Sequence, residues 1–148
     1  MPSAIIQFVR KIVLVGGCFD ILHYGHIKFL KESKKLGDFL IVALESDANT
    51  KKLKGKNRPI HNQAQRAEIL ESLKFVDKII RLPEMKSDSD YWKVVKAVIP
   101  NVIAVTKGDT NLEKKRKHAT KIGAEIVEIA LEKNFSTTRI AKILNTEP

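Results

Sequence analysis

Five short runs of aliphatic and β-branched residues alternate with helical segments along this chain, and that alternation restricts the fold more than any other feature. Residues 11–15, 39–44, 78–82, 102–105 and 125–130 read as buried strands. Between them, 24–36 reads as a helix with Ile27, Leu30 and Leu36 inward, closed by Gly37 as a carboxyl-terminal cap. Residues 62–74 form a second. Tyr91, Val94, Val95 and Val98 recur at i, i+3, i+4 and i+7, a third helix that Pro100 stops. Residues 111–122 form a fourth, ended by Gly123. Ser136 caps a last one with Ile140, Ile143 and Leu144 inward. This order predicts an α/β fold: a doubly wound, parallel, five-stranded sheet with helices on both faces. Such sheets bind ligands at the carboxyl ends of the strands, where the strand order reverses.

The length of 148 residues suits one domain, 1–148, able to bury a core without covalent staples. The lone Cys18 excludes an internal disulfide framework and a cysteine-cluster zinc site. No apolar run approaches the roughly 20 residues of a membrane helix. At the amino end the basic pair Arg10-Lys11 follows the apolar residues instead of preceding them, the wrong order for a signal peptide. The expectation is a cytoplasmic globular protein that does not engage a membrane.

The formal charge of +10 is local. Residues 50–59, read as a basic loop, hold Lys51, Lys52, Lys54, Lys56 and Arg58 and no acid. Residues 111–121 hold five cations against Glu113. Such patches attract phosphates, nucleic acid or an anionic surface. With 21 lysines to 6 arginines, the chain suits holding phosphate as a point charge better than reading planar acceptors. No aromatic residue interleaves either patch, which argues against a single-strand stacking platform. The run 113–117 reads as a solvated helix face, His61 and His118 as exposed, and Tyr91 as core.

The informative stretch lies between the first strand and the first helix: Gly16-Gly17-Cys18-Phe19-Asp20-Ile21-Leu22-His23-Tyr24-Gly25-His26. Two histidines three apart at a helix start share one face. Their neighbours are the free N–H groups of the helix amino end, which favour phosphate. Gly17 lets backbone approach a ligand, and Gly25 removes a side chain that would block one. Together these groups suit the charge that builds on phosphorus in nucleotidyl transfer. Cys18 reads as a small residue filling its slot.

The pattern GxFDxLHxGH resembles the cytidylyltransferase-like nucleotidyltransferase family. Further segments resemble it in order: Lys54-Gly55-Lys56-Asn57-Arg58-Pro59-Ile60, then Arg66, then Val76-Asp77, then Ser136-Thr137-Thr138-Arg139-Ile140. The resemblance implies a Rossmann-like fold and a homodimer. It implies that His23 and His26 contact the phosphates of an NTP (ATP or CTP), that Lys56 or Lys54 holds phosphate, and that Gly17, Cys18 and Phe19 run beneath the nucleotide. It further implies that Asp20 orients the loop, that Gly25, Arg66, Gly108 and Asp109 belong to the nucleotide site, and that Ser136, Thr137 and Thr138 donate to the triphosphate. Mg²⁺ would arrive with the NTP, and no carboxylate cluster asks for a resident metal.

Within the family the chain is most similar to heptose-1-phosphate adenylyltransferases, which move AMP to a phosphorylated small molecule. Leu131 to Thr137 lacks the arginine usual in the cytidylyl branch. Lys107-Gly108-Asp109 is one glycine shorter than the adenylyl pattern, and Asn134 replaces a glycine. Glycerol-3-phosphate cytidylyl transfer and FMN adenylyl transfer remain as alternatives. So do a nucleic-acid-binding module, which leaves the paired histidines unexplained, and a non-catalytic nucleotide-binding homologue, which the missing arginine and glycine allow.

Overall fold

A computed structural model of the chain describes residues 10–131 and 137–146, the last stretch with side chains only at 139, 140 and 142–144. The elements run β1 (Ile12–Gly17), α1 (Tyr24–Lys34), β2 (Phe39–Leu44), α2 (Asp47–Lys54), α3 (Gln63–Glu71), β3 (Lys78–Arg81), α4 (Asp88–Val98), β4 (Val102–Thr106), α5 (Leu112–Ile122), β5 (Glu125–Ile129) and α6 (Thr137–Thr146). All strand pairs are parallel, in the order β3-β2-β1-β4-β5. The order reverses between β1 and β4, next to the glycine-rich turn.

The sheet is apolar on both faces, as parallel strands covered on two sides must be. Val13, Val15, Leu40 and Val42 face α1 and α3, packing with Phe29, Leu30, Ala67 and Leu70. Leu14, Ile41 and Ile103 face α4 and α5, packing with Val95 and Ala119. β1 pairs with β2 along its full length, from Ile12–Phe39 to Gly17–Leu44. Its pairing with β4 stops at Leu14–Ile103. The carboxyl ends of β1 and β4 therefore separate, and a crevice opens at the switch point.

Three expectations need correction. The basic loop begins as a helix: Ser46 caps α2, its Oγ accepting from the Asn49 N–H at 3.0 Å, and Lys51, Lys52 and Lys54 fill the last turn. Cations there interact favourably with the exposed carbonyls, and Gly55, at φ 115°, ends it. Gly37 does not act through a left-handed cap; α1 ends at Lys35 in right-handed conformation. Gly37 is required by proximity, because a Cβ there would lie 2.5 Å from the Lys11 carbonyl oxygen and 2.8 Å from Val13 Cγ2. Ile143 and Leu144 of α6, expected inward, are 51% and 67% exposed. Helical periodicity shows that a face is apolar, not that this chain covers it. Gly123 does adopt the left-handed cap, at φ 69°.

No helix among the described residues is long and apolar enough to cross a membrane. Gly37→Ala should destabilise the fold by roughly 1–3 kcal/mol, the usual cost of overpacking, because the clash is with backbone. Urea unfolding reads this; an unchanged midpoint would mean that α1 shifts freely against β1.

Candidate active site

The turn between β1 and α1 is built around a buried carboxylate. Asp20 is 2% exposed. Its Oδ2 accepts from Arg58 Nε at 2.6 Å and from the Ile60 N–H at 2.8 Å, and its Oδ1 accepts from the His61 N–H at 3.0 Å. Burial raises the pKa of Asp20, but these donors outweigh burial and hold it below the usual carboxylate value. On either side, Phe19 and Ile21 sit at φ 46° and 55°. Left-handed backbone at such residues costs of order 1–3 kcal/mol each and persists only where surroundings impose it. Gly17 is needed because a Cβ would meet the Phe19 ring at 2.9 Å.

The turn delivers His23 and His26 to the start of α1. His23 is the N-cap: its Nδ1 accepts from the Gly25 N–H at 3.1 Å. The His26 Nδ1 accepts from the His23 N–H at a long 3.4 Å, closing a capping box made of two imidazoles. The rings stack with centroids 3.8 Å apart. A ring nitrogen that accepts cannot carry the proton, so both neutral rings hold it on Nε2. Burial lowers the pKa of His23. Burial, then His23, Lys54 and Arg58, lower that of His26 to about 3. The pair is therefore neutral at pH 7 and presents N–H donors instead of charge.

On the α4/α5 face, at the carboxyl edge of the sheet, lies a cavity of about 670 Å³. Its floor is Leu14, Ala43 and Ile103. Of the expected residues, Gly17, Cys18, Lys54 and Asp109 line it. Phe19 and Asp20 are buried in the turn beside it and Gly25 in the first turn of α1, while His23 and His26 do not line it. Gly108, at φ 86°, makes the left-handed turn before Asp109. The turn puts Lys56 on the exposed surface outside the lining. Lys54 is the cation that acts on both Cys18 and His26. Burial pushes the Cys18 thiol up, so a reactive thiolate is not formed there.

Arg66 departs from the expected nucleotide contact. It is fully buried. Its Nη1 donates to the Cys18 carbonyl at 2.6 Å, its Nη2 to Asp47 at 2.7 Å and its Nε to the His61 carbonyl at 3.0 Å. All three nitrogens clamp the turn to α2 and to the segment that binds Asp20. Ser136 lies outside the described residues, and Thr137 and Thr138 are described only as backbone in the first turn of α6.

Several cavity residues carry no motif. Lys114 and Lys115 line it, so part of the run expected to be solvated faces the site; Lys115 Nζ holds Asp109 at 2.6 Å. His118, expected exposed, is 3% exposed and bonds Asp88 at 3.1 Å. Tyr91 packs with the core but sends its hydroxyl to Glu45. Glu45 follows β2 directly, and an acid at the carboxyl end of a buried strand was the one signal available.

The family model described as cytidylyltransferase-like matches residues 14–143. The chain belongs to the cytidylyltransferase-like family. It is 41% identical over 135 residues to the bifunctional protein HldE of Campylobacter jejuni subsp. doylei, covering 88% of this chain and 27% of that protein. It is 46% identical over 100 residues to HldE of Aliarcobacter butzleri, 68% of this chain and 20% of that one. The chain thus spans about a quarter of the length of the curated relatives it matches. The crystal structure of a lipopolysaccharide core biosynthesis protein from Thermoplasma volcanium GSS1 superposes with a TM-score of 0.65 at 30% identity, covering 85% of this chain and 99% of that one.

The suppressed pKa of His26 has a consequence for stability. Between its ordinary value of 6.5 and about 3, the unfolded chain takes up a proton that the folded chain refuses. Stability from this source is intact above pH 6.5 and falls as pH drops through that window, by up to ~1.4 kcal/mol per pH unit. His26→Gln removes the titrating ring, so its unfolding free energy should fall less steeply between pH 6 and 4 than that of the wild type. Equal slopes in urea titrations would show that His26 titrates normally.

Proposed function

We propose that this chain is a nucleotidyltransferase domain that moves AMP from ATP to a phosphorylated sugar of the heptose 1-phosphate class, releasing pyrophosphate. The observation that carries this reading is the stacked histidine pair. Two neutral rings, each with Nδ1 occupied by backbone N–H, leave two Nε2–H donors at the amino end of α1, beside the strand-order reversal. The identity to the HldE proteins supports the acceptor class and, with it, the adenylyl branch.

In the reaction an oxygen of the acceptor phosphate forms a bond to the α-phosphorus. The bond from that phosphorus to the bridging oxygen breaks, and pyrophosphate leaves with the electron pair. The acceptor phosphate is already ionised, its second pKa being about 6, so no general base is needed. Charge accumulates on the non-bridging oxygens, where His23 and His26 donate hydrogen bonds. Neutral donors stay matched to that charge across the neutral pH range.

Lys54 takes the larger phosphate role and exposed Lys56 a lesser one. Asp20 and Arg66 position the turn. Gly108 and Asp109 shape the nucleoside side, and Ser136, Thr137 and Thr138 close on the triphosphate from the amino end of α6. The nucleotide is taken as its Mg²⁺ complex, with the cation held by phosphate and water oxygens. Asp20 fits no metal role, because Arg58 and two N–H groups occupy its oxygens. The reaction belongs to the cytoplasm, where ATP is supplied, and the homodimer implied by the resemblance is retained; light scattering tests it.

Pyrophosphate release should be measured with ATP and CTP crossed against heptose 1-phosphate, glycerol 3-phosphate and FMN. ATP with heptose 1-phosphate should react. His23→Ala and His26→Ala should each lower kcat by roughly 10²–10³-fold with the fold intact. Near-normal rates in either variant would sink the mechanism. Lys54→Ala should raise the KM for nucleotide or acceptor more than Lys56→Ala; the reverse order would return the phosphate role to Lys56.

A further inference from the structure

Among the polar residues of the cavity that the reaction above does not use, Glu45 has a buried side-chain oxygen with no partner among the described residues. Glu45 stands immediately after β2, its N–H donating to the Gly17 carbonyl at 3.0 Å. It is 8% exposed and lines the cavity. Its Oε1 accepts from the Tyr91 hydroxyl at 2.9 Å. Its Oε2 is buried and has no hydrogen-bond partner among the described residues.

A buried carboxylate oxygen left without a donor costs on the order of 1–3 kcal/mol or more. The nearest cations do not satisfy it. Lys115 is bonded to Asp109, and Arg66 is spent on Cys18, His61 and Asp47. Burial accordingly pushes the Glu45 pKa up, partly opposed by Tyr91 and then Lys115. A site that keeps such an oxygen beside a cavity is matched to a ligand that brings a donor.

The chemistry of that donor follows from its surroundings. A phosphate oxygen would be repelled, so the phosphate end of an acceptor belongs toward Lys54, which also lines the cavity. A neutral hydroxyl suits Oε2. We infer that Glu45, held in place by Tyr91, accepts a hydrogen bond from a ring hydroxyl of the acceptor and so selects a sugar phosphate. This inference rests on the proposed nucleotidyl transfer and adds the residue that chooses among its acceptors.

The test is steady-state kinetics of the whole chain with ATP and heptose 1-phosphate, its monodeoxy analogues, and FMN. Glu45→Gln, which can still accept from Tyr91, should raise the KM for the sugar phosphate by roughly 10–100-fold, as expected for losing a hydrogen bond to a charged group. The KM for ATP should stay within about two-fold. One monodeoxy analogue should show a comparable loss with the wild type and little further loss with Glu45→Gln. Tyr91→Phe frees the carboxylate to turn and should raise the acceptor KM several-fold; it serves as the second variant if circular dichroism shows Glu45→Gln unfolded.

An unchanged acceptor KM in both variants, equal turnover of all deoxy analogues, or a rise confined to the KM for ATP would each overturn the inference while leaving nucleotidyl transfer intact. A wild type that reacts with FMN and with no sugar phosphate overturns both the inference and the acceptor class. A wild type that releases pyrophosphate with none of these acceptors fails at the proposed function itself, which the wild-type arm alone reveals.

Discussion

The Asp20 carboxylate carries the rest of the site. It joins the turn after β1 to residues 58–61, which are about 40 positions away in sequence, through three hydrogen bonds, one of which is a buried ion pair. Breaking such a pair by removing one partner typically costs 3–5 kcal/mol, because the other charge stays buried. That energy exceeds the strain of left-handed backbone at Phe19 or Ile21. The strain and the anchor therefore belong together. Arg66 extends the lattice by holding Cys18, Asp47 and His61 at once. Positions of the two histidines follow from this lattice and not from the helix alone.

The same arrangement explains why the histidines are neutral. Arg58 and Lys54 both act on His26, and burial removes the water that would stabilise an imidazolium. Cations around a basic ring lower its pKa, so a positive site and a charged histidine exclude one another here. Permanent charge is left to lysine, and histidine supplies directed donors. Backbone N–H groups settle which nitrogen carries the proton. A ligand then meets a preorganised pair and need not reorganise it, which is where hydrogen bonds contribute most to a transition state.

Strands and their order of connection were legible because a buried parallel strand has a local signature: a short apolar run bounded by Gly, Pro or charge. The histidine turn was legible for the same reason, since its residues are contiguous. α2 was not, because its eight residues are mostly polar and lysine-rich, and the only sign was Ser46 before Asp47. Gly37 was found for the wrong reason, as close packing against Lys11 cannot be told from capping in one dimension. The cavity wall was invisible because it is made of distant pairs. Tyr91 meets Glu45 across 46 positions and His118 meets Asp88 across 30. Helical periodicity places Tyr91 on the apolar face correctly, yet it says nothing about the hydroxyl at the end of the ring.

Charge and selectivity are separated in space by the sheet's topology. The order reversal at β1 puts the two histidines at the start of α1, on one face, and the cavity beneath α4 and α5, on the other, with Gly17 and Cys18 between them. A strongly basic site would hold any phosphate ester in many orientations, because lysine binds phosphate as a point charge without directional preference. A single buried acid in the cavity removes that degeneracy. On the proposal above it repels the phosphate end and leaves one oxygen for a neutral donor, so an acceptor with its phosphate toward Lys54 and a hydroxyl toward Glu45 satisfies both. In a chain with net charge +10, the proposed role of Glu45 makes discrimination among anions the work of this acid more than of its lysines.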